Sequence, residues 1–266
     1  MIQYHGGPIS DPDAAVRVWK GRHALVSWPR PQQLALVKEI ATSYCLDNGA
    51  FTFWRSGHRA DWQAYIDWVQ AVRTPNCDLV ILPDAIGEGS DPNDALLEEF
   101  SHLDPSFFVP VWHMDEPIER LQDLGWWYHR VAIGSAGDYA TPATPQWWRR
   151  IREAFDACSD HGYVIPKLHG LRMLNPSIFT QLPLSSADSS NIARNLNLDT
   201  KWSGSYTPAT KAARALTMLD RVEAYNAPTS WPPRTQTRTF AGNTSNKPAP
   251  GLLFAPMSTT APAVAL

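Results

Sequence analysis

Short strand-like runs alternate with longer segments of helical periodicity along about the first 225 residues. The strand-like runs lie at 2–5, 23–28, 43–47, 77–83, 107–112, 129–134, 163–168 and 182–187. The helical segments lie at 11–20, 31–41, 60–73, 91–103, 117–127, 144–161, 175–181 and 208–225. Strands that alternate with helices in this way are typical of parallel sheets built from β-α-β units.

The run LVIL at 79–82 is apolar throughout, as expected for a parallel strand that is covered on both faces. Eight such units fit a single (β/α)8 barrel of the TIM type, which typically needs roughly 250 residues. An open doubly wound sheet is the alternative, and it ranks lower because no GxGxxG follows the first strand. The sequence therefore predicts an α/β fold with one catalytic barrel over 1–227.

The composition changes after about residue 226. Seven prolines lie between 228 and 262, Ser, Thr and Ala are frequent, and no acidic residue follows Glu223. Three basic residues, Arg234, Arg238 and Lys247, lie in this segment. The segment 228–266 is either a disordered Pro-, Ser- and Thr-rich extension or a basic arm that becomes ordered on a polyanion.

The overall composition is that of an ordinary globular protein. The 266 residues are 44% hydrophobic and 18% charged with a net charge of −3. A sizeable core is available, and no global basic field indicates nucleic acid, although a local basic patch is enough for binding. The three cysteines, Cys45, Cys77 and Cys158, are widely spaced and predict buried thiols rather than disulfides or zinc ligands.

Targeting signals do not stand out in the chain. The first residues show no basic region followed by an apolar core, and no run approaches 18 apolar residues. We therefore expect a cytoplasmic protein that does not span a membrane.

Three aspartates follow apolar runs, in CLDNGAF at 45–51, LVILPDAI at 79–86 and LSSADSSN at 184–191. Barrel enzymes carry their site at the carboxyl ends of the strands, so Asp47, Asp84 and Asp188 are expected to share one site. Other strand-end residues expected there are His5, Gly6, Gly7, Trp28, His113, Gly134, Ser135, His169 and Gly170. Each alone has an ordinary structural explanation, and it is their convergence on one rim that indicates a site.

Several short motifs resemble one enzyme family. DNGAF at 47–51 is similar to the DSGGF signature of queuine and archaeosine tRNA-guanine transglycosylases, and AIGSAG at 132–137 is similar to their AIGG segment. ADSSNIARN at 187–195 lies where those enzymes place a nucleophilic aspartate. Together with KLHGL at 167–171, the resemblance is closest to phage-type DNA-guanine transglycosylases, and it covers roughly residues 1–200.

The resemblance implies roles for individual residues. Asp188 would be the nucleophile, Asp47 the general acid and base, and Asp84 the group that holds the guanine edge. The remaining pocket residues implied are Gly49, Phe51, His113, Gly134, Ser135 and His169, with the two histidines assisting in proton handling or phosphate binding. The partners implied are DNA, with its target guanine flipped or single-stranded, and a free 7-deazaguanine base, in the cytoplasm of a phage-infected bacterium.

Two departures from the family pattern bear on the substrate. The tRNA enzymes carry a Cys-rich zinc site after the nucleophile, and this chain has no such cluster. That difference argues against the tRNA branch, and we predict neither a metal nor another cofactor. The glutamine that contacts guanine in the family is replaced by His113.

The proposed chemistry explains these residue types independently of the resemblance. Base exchange at C1′ passes through an oxocarbenium-like state, which one carboxylate can capture covalently while a second acid handles the proton of the base. Retaining glycosidases use two carboxyl groups in the same way. A retaining glycoside hydrolase on the same barrel therefore remains an alternative, as do a tRNA-guanine transglycosylase and a non-catalytic binding barrel.

Contacts to the polymer are expected near the same rim. Arg55, His58 and Arg59 follow DNGAFTFW and predict a phosphate-binding loop, and Ser189 and Arg194 follow the last strand. Candidate stacking aromatics are Trp28, Phe51, Phe53, Trp54 and Trp112. A second basic cluster, Arg149, Arg150 and Arg152, is interpreted as a solvated helix face.

Overall fold

The computed structural model describes residues 1–160, 166–197 and 207–232. These residues form one parallel nine-stranded sheet surrounded by helices, in the order β5-β4-β3-β2-β1-β9-β8-β7-β6. The strands are β1 (Ile2–Gly6), β2 (His23–Ser27), β3 (Ser43–Asp47), β4 (Cys77–Ile81), β5 (Phe108–Val109), β6 (Val111–His113), β7 (Arg130–Gly134), β8 (Lys167–Gly170) and β9 (Ser186–Ser189).

The two ends of the sheet are adjacent in sequence. β5 pairs with β4 and β6 pairs with β7, and only Pro110 lies between β5 and β6. Proline has no N–H to donate to a sheet, although the Pro110 carbonyl still accepts from the N–H of Ala132 at 2.8 Å. The sheet is therefore a nearly closed barrel, consistent with a TIM-type architecture, and the predicted run 107–112 contributes to two strands.

The last two strands lie later in the chain than predicted. β9 begins at Ser186 rather than at 182, because Leu182 and Leu184 pack in the core beneath the helices instead of pairing in the sheet. β8 spans Lys167–Gly170, whereas the prediction was 163–168, of which 163–165 lie outside the described residues. An apolar run indicates which residues are buried, and here the buried residues begin earlier in the chain than the residues that pair in the sheet.

Ten α-helices are present among the described residues. They are α1 (Pro12–Trp19), α2 (Leu34–Ile40), α3 (Ala50–Ser56), α4 (Trp62–Val72), α5 (Ser90–Glu99), α6 (Ile118–Trp127), α7 (Pro145–Asp160), α8 (Pro176–Phe179), α9 (Asn191–Asn195) and α10 (Lys211–Glu223). The side chains of Asp11, Asp61 and Thr210 accept backbone N–H groups at the starts of α1, α4 and α10, as N-caps do. Helices α3 and α9 were not predicted.

The barrel interior and the helix layer have separate cores. The interior core comprises Tyr4, Leu25, Cys45, Leu79, Ile81, Val109, Val111 and Ala132. Two larger clusters lie between the sheet and the helices, and one contains the buried indole of Trp147. The three cysteines are buried and make no disulfide, as predicted.

Trp231 ties the start of the proline-rich segment to the barrel. Its side chain is 8% exposed, its ring centre lies 4.9 Å from that of Phe155, and its Nε1 donates to Asp156 Oδ1 at 2.7 Å. In the predicted extension 228–266, residues 228–230 are exposed and Trp231 is packed, and the remainder from 233 lies outside the described part. No helix in the described ranges has the length and apolar character needed to cross a membrane.

Candidate active site

Strand alternation brings the polar residues to one end of the barrel. Side chains two residues apart on a strand point to the same face. Four site residues lie two positions beyond an interior residue toward the carboxyl end of a strand: Asp47 after Cys45, His113 after Val111, Gly134 after Ala132, and Asp188 after Ser186. The apolar interior is therefore capped by a polar layer at the carboxyl ends of the strands.

Asp47 is a carboxyl group in an unfavourable setting for charge. The hydroxyl of Ser27, on the neighbouring strand, donates to Asp47 Oδ2 at 2.6 Å. The pKa of Asp47 is raised to about 6, mainly by burial and also by the charges of Asp188 and Asp84, while Ser27 and Arg172 oppose the shift. A carboxyl with that pKa can both donate and accept a proton near neutral pH.

Asp188 is 6% exposed, and two groups lie beside one of its oxygens. The backbone N–H of Arg172 donates to Asp188 Oδ1 at 3.0 Å, and Nε2 of His169 lies 3.3 Å from the same oxygen without a hydrogen bond to any described residue. The other ring nitrogen of His169 lies 2.9 Å from the hydroxyl of Ser186, which fixes the ring. Oδ2 makes no hydrogen bond to any described residue and remains available to a substrate.

Asp84 is part of a buried cluster with Asn48 and His113. Asn48 Nδ2 donates to Asp84 Oδ1 at 2.6 Å and to the carbonyl of Leu82 at 2.5 Å. His113 Nε2 lies 2.9 Å from Asp84 Oδ2, but the ring N–H is not aimed at the carboxylate, and neither ring nitrogen makes a hydrogen bond within the described residues. Burial alone lowers the pKa of His113, but Asp84 together with nearby acids outweighs it and raises the pKa.

Glu116 is hydrogen-bonded to the backbone of this cluster and was not among the predicted site residues. It is 1% exposed, and its Oε2 accepts from the backbone N–H of His113 at 2.9 Å and from Arg120 at 2.8 Å. Its Oε1 accepts from Asn93 Nδ2 at 2.9 Å. Burial raises the pKa of Glu116 against the opposing charge of Arg120. The loop after β6 is thereby fixed to the start of α5.

Two predicted pocket glycines provide space that no other residue allows. Gly49 has φ of 76°, and a Cβ there would lie 2.3 Å from Pro29 Cδ. At Gly134 a Cβ would lie 2.9 Å from His113 Nδ1. Both residues are required by close approach, since any side chain would displace the neighbouring group.

Phe51 lies on α3, and one face of its ring is covered. The guanidinium carbon of Arg172 lies 3.3 Å from the ring centre, and Arg172 has a left-handed φ of 59°. Burial lowers the pKa of Arg172, and Arg194 lowers it further, whereas Asp188 and Asp47 raise it. Arg172 was not among the predicted site residues, although it directly follows the KLHGL motif. A basic residue at a strand end was the signal that could have identified it.

The side chains of several predicted residues make structural contacts. Ser135 Oγ accepts from Trp147 Nε1 at 2.9 Å, so its side chain joins α7. His5 lies 3.3 Å from Glu223 of α10 and therefore points to the outer side of the sheet. Trp112 is fully buried and donates to the carbonyl of Pro117, so its prediction as a stacking platform was wrong.

Some of the residues predicted to contact the polymer or to lie on a solvated helix face are exposed, and others make hydrogen bonds within the protein. Arg55, Arg59 and Arg194 are exposed, although Arg55 lies on α3 rather than in a loop. Ser189 Oγ accepts the N–H of Asn191 at 3.0 Å. Arg150 belongs to no solvated helix face, because its Nε donates to the carbonyl of Met114 at 2.8 Å.

The fold and the site together define a parallel α/β barrel with three carboxyl groups at the carboxyl ends of its strands. Comparison with protein-family models, curated proteins and solved structures found no match to this chain. Within the described ranges, no group of three or more His, Cys, Asp or Glu side chains is arranged to hold a metal ion.

Proposed function

We propose that this protein is a DNA-guanine transglycosylase, which exchanges guanine in DNA for a 7-deazaguanine base through a covalent aspartyl-nucleotide intermediate. The observation that carries the proposal is that Asp47 and Asp188 lie at the carboxyl ends of β3 and β9, where the charge of Asp188 adds to the raised pKa of Asp47. Two carboxyl groups in unlike surroundings can take the acid and nucleophile roles that such chemistry needs.

Asp188 is the nucleophile in this proposal. Its Oδ1 accepts from the backbone N–H of Arg172, which leaves Oδ2 to attack C1′. As the Oδ2–C1′ bond forms, the bond from C1′ to the guanine nitrogen breaks, and protonated Asp47 gives its proton to the departing base. In the second step the incoming base gives a proton to Asp47 and its nitrogen attacks C1′, which releases Asp188.

The base edge is held by Asp84 in this proposal. An ionised carboxylate has about four lone-pair sites, and two neighbouring N–H groups of a guanine edge can still be accepted when Asn48 occupies one of them. A ring N–H of His113 is not committed to Asp84 and is available to a carbonyl oxygen. The backbone of Gly134 and Ser135 completes the pocket.

DNA is proposed as the polymer because all three cysteines are buried and none lies in a Cys-rich cluster of the kind the tRNA enzymes carry. The exposed Arg55, Arg59 and Arg194 lie on the helices or loops that follow β3 and β9 and are suited to phosphate. We also treat β5 and β6 as one strand interrupted by Pro110, which makes the barrel (β/α)8.

One experiment separates this proposal from its alternatives. The protein is incubated with a guanine-containing oligonucleotide and a labelled 7-deazaguanine base, and label in the polymer is measured. We expect label with the wild-type protein and none with Asp188→Asn. Cleavage of a sugar polymer without any free base would instead support a glycoside hydrolase, and no reaction of either kind would support a binding barrel.

A further inference from the structure

The guanidinium of Arg172 is placed beside the proposed nucleophile by its own backbone. The Arg172 N–H is hydrogen-bonded to Asp188 Oδ1 at 3.0 Å, so this side chain starts at the carboxylate that would attack C1′. The guanidinium carbon lies over the ring of Phe51, 3.3 Å from its centre. The position of this cation is therefore defined from two sides, by a backbone hydrogen bond and by an aromatic face.

The hydrogen-bonding capacity of this cation is unused. The guanidinium makes no hydrogen bond or ion pair to any described residue, although the fields of Asp47, Asp84 and Asp188 all act on it. Arg194, at the end of α9, is near enough to act on it with a like charge. A guanidinium whose donors meet no described protein partner, and which lies in the field of a like charge, is stabilised by an anion that binds it.

We propose that Arg172 forms a subsite for a phosphodiester group of the polymer, next to the sugar whose base is exchanged. The inference rests on the proposed function for the identity of that polymer. A nucleic acid carries a phosphodiester on each side of every sugar, so a cation beside the nucleophile lies where one of them must pass. Guanidinium groups bind phosphate oxygens through two parallel N–H donors, which a lysine cannot reproduce.

Binding measurements test the subsite without requiring exchange. The affinity of a fluorescent single-stranded, guanine-containing oligonucleotide is measured by anisotropy over a salt series. We expect Arg172→Gln to weaken binding about tenfold and to reduce the slope of log affinity against log salt by about 0.7, the value for one lost phosphate contact on a single strand. Arg172→Lys should keep the slope and lose part of the affinity.

Matched controls separate the subsite from a general loss of charge. Lys20→Gln removes one exposed cation at the end of α1, away from the carboxyl ends of the strands, and should leave affinity nearly unchanged. An oligonucleotide with a neutral methylphosphonate next to the target guanine should lose the same affinity on wild-type protein. It should lose little more on Arg172→Gln, because the contact is already absent.

Three outcomes overturn the subsite: unchanged binding by folded Arg172→Gln, an equal loss in Lys20→Gln, or a change confined to affinity for the free base. Inorganic phosphate should compete for the wild-type protein only weakly, and full displacement by it would mean that the site takes free phosphate rather than the polymer.

If wild-type protein performs no exchange and the Arg172 effect persists, the proposed function fails and the subsite stands. If exchange occurs and Arg172→Gln binds normally, the subsite alone fails.

Discussion

His113 Nε2 lies 2.9 Å from Asp84 Oδ2, which joins the end of β6 to the loop after β4. Both side chains are buried, and Asp84 together with nearby acids outweighs the effect of burial on the pKa of His113. The contact therefore contributes to the raised pKa of a histidine beside the proposed base pocket.

Replacing Asp84 by Asn should lower the pKa of His113, which NMR titration of the histidine ring protons measures. Because this pKa is raised in the folded protein, the stabilisation is present below about pH 6.5 and is lost as pH rises through the folded pKa. Asp84→Asn should therefore destabilise the protein more at pH 5.5 than at pH 9, by about 1.4 kcal/mol per pKa unit lost. An unchanged His113 titration would contradict the pairing.

Asp188→Asn should retain the fold and lose base exchange by several orders of magnitude, since covalent capture of C1′ is removed outright. The asparagine oxygen can still accept the Arg172 N–H. Single-turnover exchange and thermal unfolding are measured together, with Asp67→Asn on α4 as the control. Substantial exchange by folded Asp188→Asn would exclude it as the nucleophile.

Formation of the covalent intermediate should slow as pH rises through about 6, because the departing base needs protonated Asp47. Rapid-quench measurement of the adduct on a denaturing gel should show this limb in the wild-type protein. Asp47→Asn should be slow at every pH and show no such limb. A limb of the same position in Asp47→Asn would assign the titration to another group.

The same pKa has a consequence for stability. The pKa of Asp47 is raised on folding, so its protonated form stabilises the protein at low pH and that contribution is lost as pH rises from about 4 through about 6. Asp47→Asn should consequently gain stability relative to wild type between pH 4 and pH 8, by at most about 3 kcal/mol. Denaturant unfolding at both pH values measures the difference, and a relative loss at pH 8 would contradict it.

Gly49→Ala should destabilise the protein by clearly more than Gly21→Ala. Both glycines have left-handed φ, 76° and 71°, but a Cβ at Gly49 meets Pro29 at 2.3 Å while a Cβ at Gly21 meets nothing within 4 Å. The backbone penalty of about 1 kcal/mol is common to both, so the difference in unfolding free energy isolates the clash. Equal losses would show that Pro29 moves away freely.

Guanine-containing DNA should be labelled in preference to tRNA when both are offered at equal concentration. The contribution of the proline-rich segment is tested by deletion from 233 onward, since Trp231 is packed against α7. We expect the deletion to reduce DNA affinity more than stability. Preferential labelling of tRNA would contradict the DNA assignment and leave the exchange chemistry intact.

Part of the fold was predictable because its signals are local. The alternation of apolar runs and helical segments correctly indicated a parallel α/β sheet, and most strand bounds agree within a residue or two. The single run 107–112 was divided by Pro110, and the start of the last strand was placed too early because Leu182 and Leu184 are buried without being paired. Helix α3 was read as a loop because its start, Asn48-Gly49, carries turn residues.

The contacts of the candidate site depended on tertiary structure. Nothing near Glu116 in sequence indicates that it accepts from Asn93, and the sequence around Arg172 does not reveal that its side chain lies on Phe51. Trp231 likewise reads as part of a tail until its contact with Phe155 is seen. In each of these contacts, the two partners belong to different strand-helix units.

The sequence by itself determined which residues stand at the carboxyl ends of the strands, because the two-residue alternation of a strand is a property of the local backbone. That Asp47, His113 and Asp188 share the inward face of their strands was seen only in the structure, where they lie two residues beyond the interior residues Cys45, Val111 and Ser186. Only the tertiary structure likewise decided in which direction the pKa values of Asp47 and His113 shift. That depends on burial and on charges from neighbouring strands, and the effect of one charge on another is set by their distance in space and not in sequence.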